Sequence, residues 1–179
     1  MKLDYIYLLD GTFPADSKVW VYQANRSFSL QEALDIEEML NDFASQWKSH
    51  GIPVKGAGYL FFGQFIILMA DETATGVSGC STDSSVRMIK DIEQMFNVNM
   101  FDRLLLGFIV KERVQMIPMA QLSYALENNF IESSTLYFNN TVQNLAQLKE
   151  KWMIPVSESW LAKDKRFSAL VATGDQTTR

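Results

Sequence analysis

Residues 71 to 96, DETATGVSGCSTDSSVRMIKDIEQMF, gather the groups in this chain whose types and spacing suit chemistry best. Cys80, the one cysteine, lies between Gly79 and the hydroxyl residues Ser81, Thr82, Ser84 and Ser85. Gly76 and Ser78 precede it, and Asp83 and Arg87 follow. A helix that opens here leaves its first amides without intrahelical partners, and its dipole adds partial positive charge at the same end. Gly76 and Gly79 allow backbone conformations closed to other residues. The stretch from Gly76 to Ser85, with Arg87, is therefore a candidate cradle for a small anion, a phosphate or a carboxylate. The same field lowers a thiol pKa and makes Cys80 a candidate nucleophile, whereas Asp71, Glu72 and Asp83 act in the opposite sense. His50, the single histidine, is the candidate base to pair with it. A purely structural account stands beside these: Asp83 or a serine caps the helix, the glycines turn the chain, and Cys80 fills a small buried space.

Several known chemistries are excluded by the letters. A P-loop ends in Gly-Lys-Ser/Thr, and the chain has no Gly-Lys dipeptide. Six residues separate Cys80 from Arg87, one more than the cysteine phosphatase loop has. There is no Gly-x-Ser-x-Gly elbow and no Gly-x-Gly-x-x-Gly fingerprint. One cysteine rules out an intramolecular disulfide and every multi-cysteine zinc pattern. Asp71, Glu72 and Asp83 lack the regular spacing of a calcium loop, so neither a metal nor a cofactor is expected.

The elements that must position these groups are readable from periodicity. SKVWVYQ alternates as a strand does, and YIYLL, residues 5 to 9, is a second candidate. Ser29 and Glu32 have capping-box spacing, and Leu30, Ala33, Leu34, Ile36, Leu40, Phe43, Ala44 and Trp47 share one helical face behind them. His50-Gly51 then reads as that helix's cap, with Pro53 beyond. KGAGYLFFGQFIILMAD reads as strands over 56 to 62 and 65 to 70, reversing at Gly63-Gln64. A second helix runs from about Ser84 to Asn97, and RLLLGFIVKERVQMI supplies a strand, a turn at Lys111-Glu112 and another strand.

This order predicts an α+β fold, a ferredoxin-like split β-α-β core with an antiparallel sheet and both helices on one face. A helix-strand-helix extension follows, from Pro118, TLYF and VQNLAQLKEKW. The expected organisation is one domain over 1–167, core about 17–117 and extension about 118–167, with a flexible tail over 168–179.

Net charge is -5, and no Lys/Arg run offsets it locally, so the overall field repels polyanions and nucleic acid is not an expected partner. No apolar run approaches the length of a membrane span, and the N-terminus lacks the h-region of a signal peptide, so a soluble cytoplasmic protein is expected. Four aromatics crowd into the seven residues YLFFGQF, and a strand buries both faces only if something covers the second. A second copy of the chain would do so, which predicts a homodimer.

The words LLDGTFPADSKVWVYQANR, FFGQFIILMADETATGVSGCSTDSSVRMIKDIE, FDRLLL, LYFNN and WMIPVSESWLAK together resemble a family of short, uncharacterised bacterial proteins that often carry the label "ABC transporter ATPase". The resemblance covers nearly the whole chain except its far C-terminal tail. The missing Gly-Lys-Ser/Thr loop contradicts the activity in that label. Ile117 to Asn140 also resembles the helix-turn-strand half of GYF-type peptide-binding modules, though without the Gly-Tyr-Phe triplet, and so adds a peptide to the partners considered. The combined expectation is a non-catalytic interaction or small-anion-binding module that self-associates; the alternative is a thiol-dependent enzyme or redox sensor that uses Cys80.

Overall fold

The computed structural model describes residues 5–71, 73 and 79–164, with backbone alone over 79–82. In chain order the elements are β1 (Lys18–Gln23), α1 (Leu30–Gln46), β2 (Lys48–Ser49), β3 (Ile52–Pro53), β4 (Lys55–Phe61), β5 (Phe65–Asp71), α2 (Gly79–Phe96), β6 (Leu105–Val110), β7 (Arg113–Pro118), α3 (Leu122–Glu127), β8 (Leu136–Phe138), α4 (Leu145–Lys151) and β9 (Met153–Pro155). YIYL, expected as a strand, is a 3-10 turn over Tyr5–Leu8. All the strand pairings among the described residues are antiparallel, and the protein is α+β. No helix among the described residues is long and apolar enough to cross a membrane.

Two units divide the described chain: 5–102 with 140–150, and 103–139 with 151–164. In the first, the sheet order is β1-β5-β4. Ser29 starts α1 as its spacing predicts: its hydroxyl accepts from the Glu32 amide while the Glu32 carboxylate accepts from the Ser29 amide, at 3.3 and 2.7 Å. Both helices pack on one face of the sheet, where Ile36 and Leu40 of α1 meet Ile66, Leu68 and Ala70 of β5 and Ile89 and Ile92 of α2, all essentially buried. Two glycines on this face of β4 set how closely α1 approaches. A Cβ on Gly56 would lie 2.5 Å from the Trp47 ring, and one on Gly58 3.0 Å from Leu40.

The opposite face holds Phe65, Ile67 and Met69, each fully buried. The chain covers this face itself. The Tyr5 ring packs 5.7 Å from Phe61 and 6.3 Å from Phe62, and the Tyr5 hydroxyl donates to the Leu148 carbonyl of α4 at 2.7 Å. Lys55 donates to the Thr12 carbonyl and lies 4.6 Å over the Phe13 ring. The aromatic face that predicts a second subunit is thus closed from within, and that argument for a homodimer loses its premise.

The β4–β5 turn is centred one residue earlier than expected, on Phe62 and Gly63, both at positive φ. Gln64 is buried instead, its amide donating to the Ala24 carbonyl and accepting from Ser27. The expected fourth strand of the core, β6, does not join this sheet. The place beside β1 is taken by residues 143–145: the Val19 amide donates to Gln143, the Leu145 amide donates to Ser17, and Lys18 bridges Asn144.

The second unit has the sheet order β7-β6-β8-β9. Lys111 and Glu112 form the predicted turn, both at positive φ, and zip β6 to β7 along six residue pairs. Local hairpin closure and burial of Leu106 and Phe108 against Ile117, Leu122 and Tyr137 explain why β6 stays here. Strands β6 and β7, expected within a core ending near 117, thus lie with the residues assigned to the extension. Trp160 donates from Nε1 to the Tyr137 hydroxyl at 3.0 Å, and burial raises the Tyr137 pKa.

Candidate functional site

The end of α1 delivers Asp42, Phe43 and Gln46 to one side of the helix, and Trp47 and Lys48 follow as the chain leaves it. The opening turns of α2 bring Ser84 to the same place. These six residues line an open depression of about 340 Å³. Its base is aromatic: Phe43 packs 4.8 Å from Trp47, which packs 5.8 Å from Trp20. Its polar groups are one ammonium, one carboxylate, a carboxamide and a hydroxyl. The Lys48 amine supplies positive charge, and Asp42 limits the total anionic charge such a place accepts.

The residues singled out in the sequence are distributed unevenly. Gly76 and Ser78 lie outside the described residues. Over Gly79, Cys80, Ser81 and Thr82 the backbone is helical, so α2 begins at Gly79, ahead of the expected start near Ser84, and Cys80 belongs to its first turn. The side chains of those four lie outside the described residues. Asp83 and Arg87 are exposed, and Ser84 is half-buried in the depression. Ser85 is fully buried, and its hydroxyl hydrogen-bonds Tyr22, whose pKa is raised by burial and lowered in part by that bond. A hydroxyl used inside the core is not offered to a ligand, so Ser85 leaves the candidate set.

His50 does not cap α1. The helix ends at Gln46, Trp47 is extended, and His50-Gly51 is the two-residue turn between β2 and β3, with φ of 51° and 81°. This pair of positive angles marks a type I′ hairpin turn. His50 is exposed there.

Asp71 closes β5. Its carboxylate accepts from the Thr73 amide at 3.0 Å and from the Thr73 hydroxyl at 2.7 Å, and faces the Lys55 amine at 3.6 Å. These bonds, the Thr73 amide first, hold its pKa below the ordinary carboxylate value. The group is occupied with ordering the strand end. No cluster of three His, Cys, Asp or Glu side chains suited to a metal ion occurs among the described residues.

Lys48, Gln46 and Asp42 are the lining residues that motif reading passes over. Their one signal is position: polar residues near and just beyond the end of α1, beside the stripe residues Phe43 and Trp47. The chain matches no protein-family model, no curated protein and no solved structure.

Proposed function

We propose that the protein is a cytosolic, non-catalytic interaction module that holds a small anion where the opening turns of α2 meet the end of α1, and that it self-associates. The observation that supports anion binding is the joint lining of one depression by Lys48 and by Ser84 of the second turn of α2. An ammonium and a hydroxyl favour a carboxylate or a phosphate ester, while Phe43 and Trp47 suit a small apolar body attached to it.

Thermal melting against inorganic phosphate, nucleotides and mono- and dicarboxylates tests this. A ligand at about 100 times its Kd adds about 2.7 kcal/mol of stability, a readily visible shift. Lys48→Ala abolishes that shift, and Lys149→Ala, on the exposed side of α4, retains it. No response from any of these compounds overturns the reading.

One observation favours a second reading, a thiol-dependent enzyme or sensor. Because α2 begins at Gly79, Cys80 belongs to its first turn, where the dipole stabilises a thiolate. The free amides of that first turn would then hold an oxyanion, with His50 as base. Iodoacetamide labelling rates measured against pH decide it. An apparent Cys80 pKa near the ordinary ~8.5 or above removes the activated nucleophile.

A further inference from the structure

The three-stranded sheet treats its two edges differently. Beyond β1, residues 143–145 supply hydrogen bonds and close the edge. Beyond β4 there is no strand among the described residues, and the backbone of residues 56–60 makes no hydrogen bond outside its ladder with β5. Among the described residues, the usual protections of a free edge are missing. The strand has seven residues, pairs with β5 from Lys55 to Phe61 without a bulge, and contains no proline. Its one charge, Lys55, is engaged with Thr12, Phe13 and Asp71 of its own chain.

A second, independent feature overhangs that edge. Helix α1 lies on β4, with Leu40 over Gly58 and Trp47 over Gly56. Asp42 and Gln46 share the depression with Ser84 and so mark the side of α1 turned toward α2. Helix α2 lies over β1, where Ser85 bonds Tyr22. Helical periodicity then puts Leu30 and Leu34 on the flank turned away from α2, above the outer edge of β4. They are 80% and 53% exposed, on a helix whose other leucine, Leu40, is buried.

We propose that two copies of the chain pair edge to edge through antiparallel β4 strands, making a continuous six-stranded sheet about a two-fold axis. An axis perpendicular to the sheet keeps the helix-bearing faces on one side, so α1 of one copy becomes the neighbour of α1 of the other. One operation then satisfies the unpaired backbone of β4 and covers the exposed leucine flank. A foreign extended peptide would meet only the first need, which is why a second copy is the occupant. This inference rests on the self-association reading and moves it from the sheet's face to its edge.

The test combines light scattering at increasing concentration with hydrogen exchange. The native chain is expected to be dimeric by about 100 µM, and Leu30→Lys with Leu34→Lys to raise the dimer Kd by about tenfold or more. Both sites are exposed, so the variant keeps the native melting curve at dilutions where both chains are monomeric. Amides of residues 55–61 gain protection as the native chain is concentrated, and gain none in the variant. A native chain that stays monomeric overturns self-association and this inference together, leaving the edge to another protein. A dimer that survives both lysines, with β4 exchange independent of concentration, overturns the edge assignment alone.

Discussion

The Arg26 guanidinium holds the Glu32 carboxylate with two parallel hydrogen bonds of 2.9 and 2.8 Å, and one of its nitrogens also donates to the Phe96 carbonyl at 2.5 Å. Glu32 is also the acidic half of the capping box of α1, and Phe96 is the last residue of α2. One ion pair therefore joins the start of one helix to the end of the other. The Arg26 bond first, then the Ser29 amide, lowers the Glu32 pKa from 4.5 to about 2.

A folded-state pKa below the unfolded value contributes stability that is present above about pH 4.5 and lost as pH falls toward about 2. Glu32→Gln keeps an acceptor for the Ser29 amide and removes the charge. The native protein is expected to exceed this variant in stability by a constant amount above about pH 5, with the gap closing on acidification. Denaturant melts at several pH values check this, and a gap that persists at about pH 2.5 would refute it.

Gly56 has its packing consequence at Trp47. Gly56→Ala places a methyl 2.5 Å from the ring, and Trp47, wedged between Trp20 and Phe43, has little room to shift. The expected cost is about 1–3 kcal/mol. Gly11→Ala is the control: nothing lies within 4 Å of its added carbon, so no loss is expected. Chemical denaturation compares the two, and equal midpoints would remove the steric account.

The parts legible in the sequence are those decided locally. Ser29 and Glu32 carry their own cap, the alternation of SKVWVYQ marks β1, and Lys111-Glu112 reverses β6 into β7. What stayed hidden depends on which distant segment reaches a free position first in space. Nothing in LLLGFIV tells that β6 pairs with Tyr137 rather than beside Val19, and nothing in Gln143 or Asn144 announces an edge cover. The aromatic run around Phe61 correctly signalled two buried faces, but a stretched chain does not reveal that Tyr5 supplies the lid. Gly56 and Gly58 were a usable signal passed over: two glycines at alternate positions of a strand mark the close approach of a helix. At the candidate site, a helix behind Cys80 is legible, but the periodicity starts it near Ser84 rather than at Gly79, and the hydroxyl pattern does not tell that Ser85 serves Tyr22.

Ser17 is 2% exposed, and no described group hydrogen-bonds its hydroxyl. Its backbone is well used, the amide donating to Pro14 and the carbonyl accepting from Leu145. A buried hydroxyl without a partner costs free energy that an alanine avoids, so Ser17→Ala is expected to stabilise the protein by about 1 kcal/mol. A rise in the urea midpoint at unchanged m-value would show it. A loss of stability would mean that the hydroxyl is satisfied after all.

Tyr5 makes the alkaline limit of the fold predictable. Burial raises its pKa from 10.0 to about 12, since the phenolate is poorly solvated between Phe61 and Phe62. A raised folded-state pKa contributes stability that is intact below about pH 10 and lost as pH climbs through about 12, because the unfolded chain ionises first. Tyr5→Phe gives up the bond to the Leu148 carbonyl, at an expected cost of about 1 kcal/mol near neutrality. It also has no proton to lose. The native advantage over the variant is therefore expected to hold up to about pH 10 and to shrink between about 10 and 12. Tyr22, Tyr59 and Tyr137 are raised by burial too, but they are common to both proteins and cancel in the difference. Urea melts of the pair at about pH 8 and about pH 11 measure it, and an unchanged gap would mean that the Tyr5 hydroxyl titrates as freely in the folded chain as in the unfolded one.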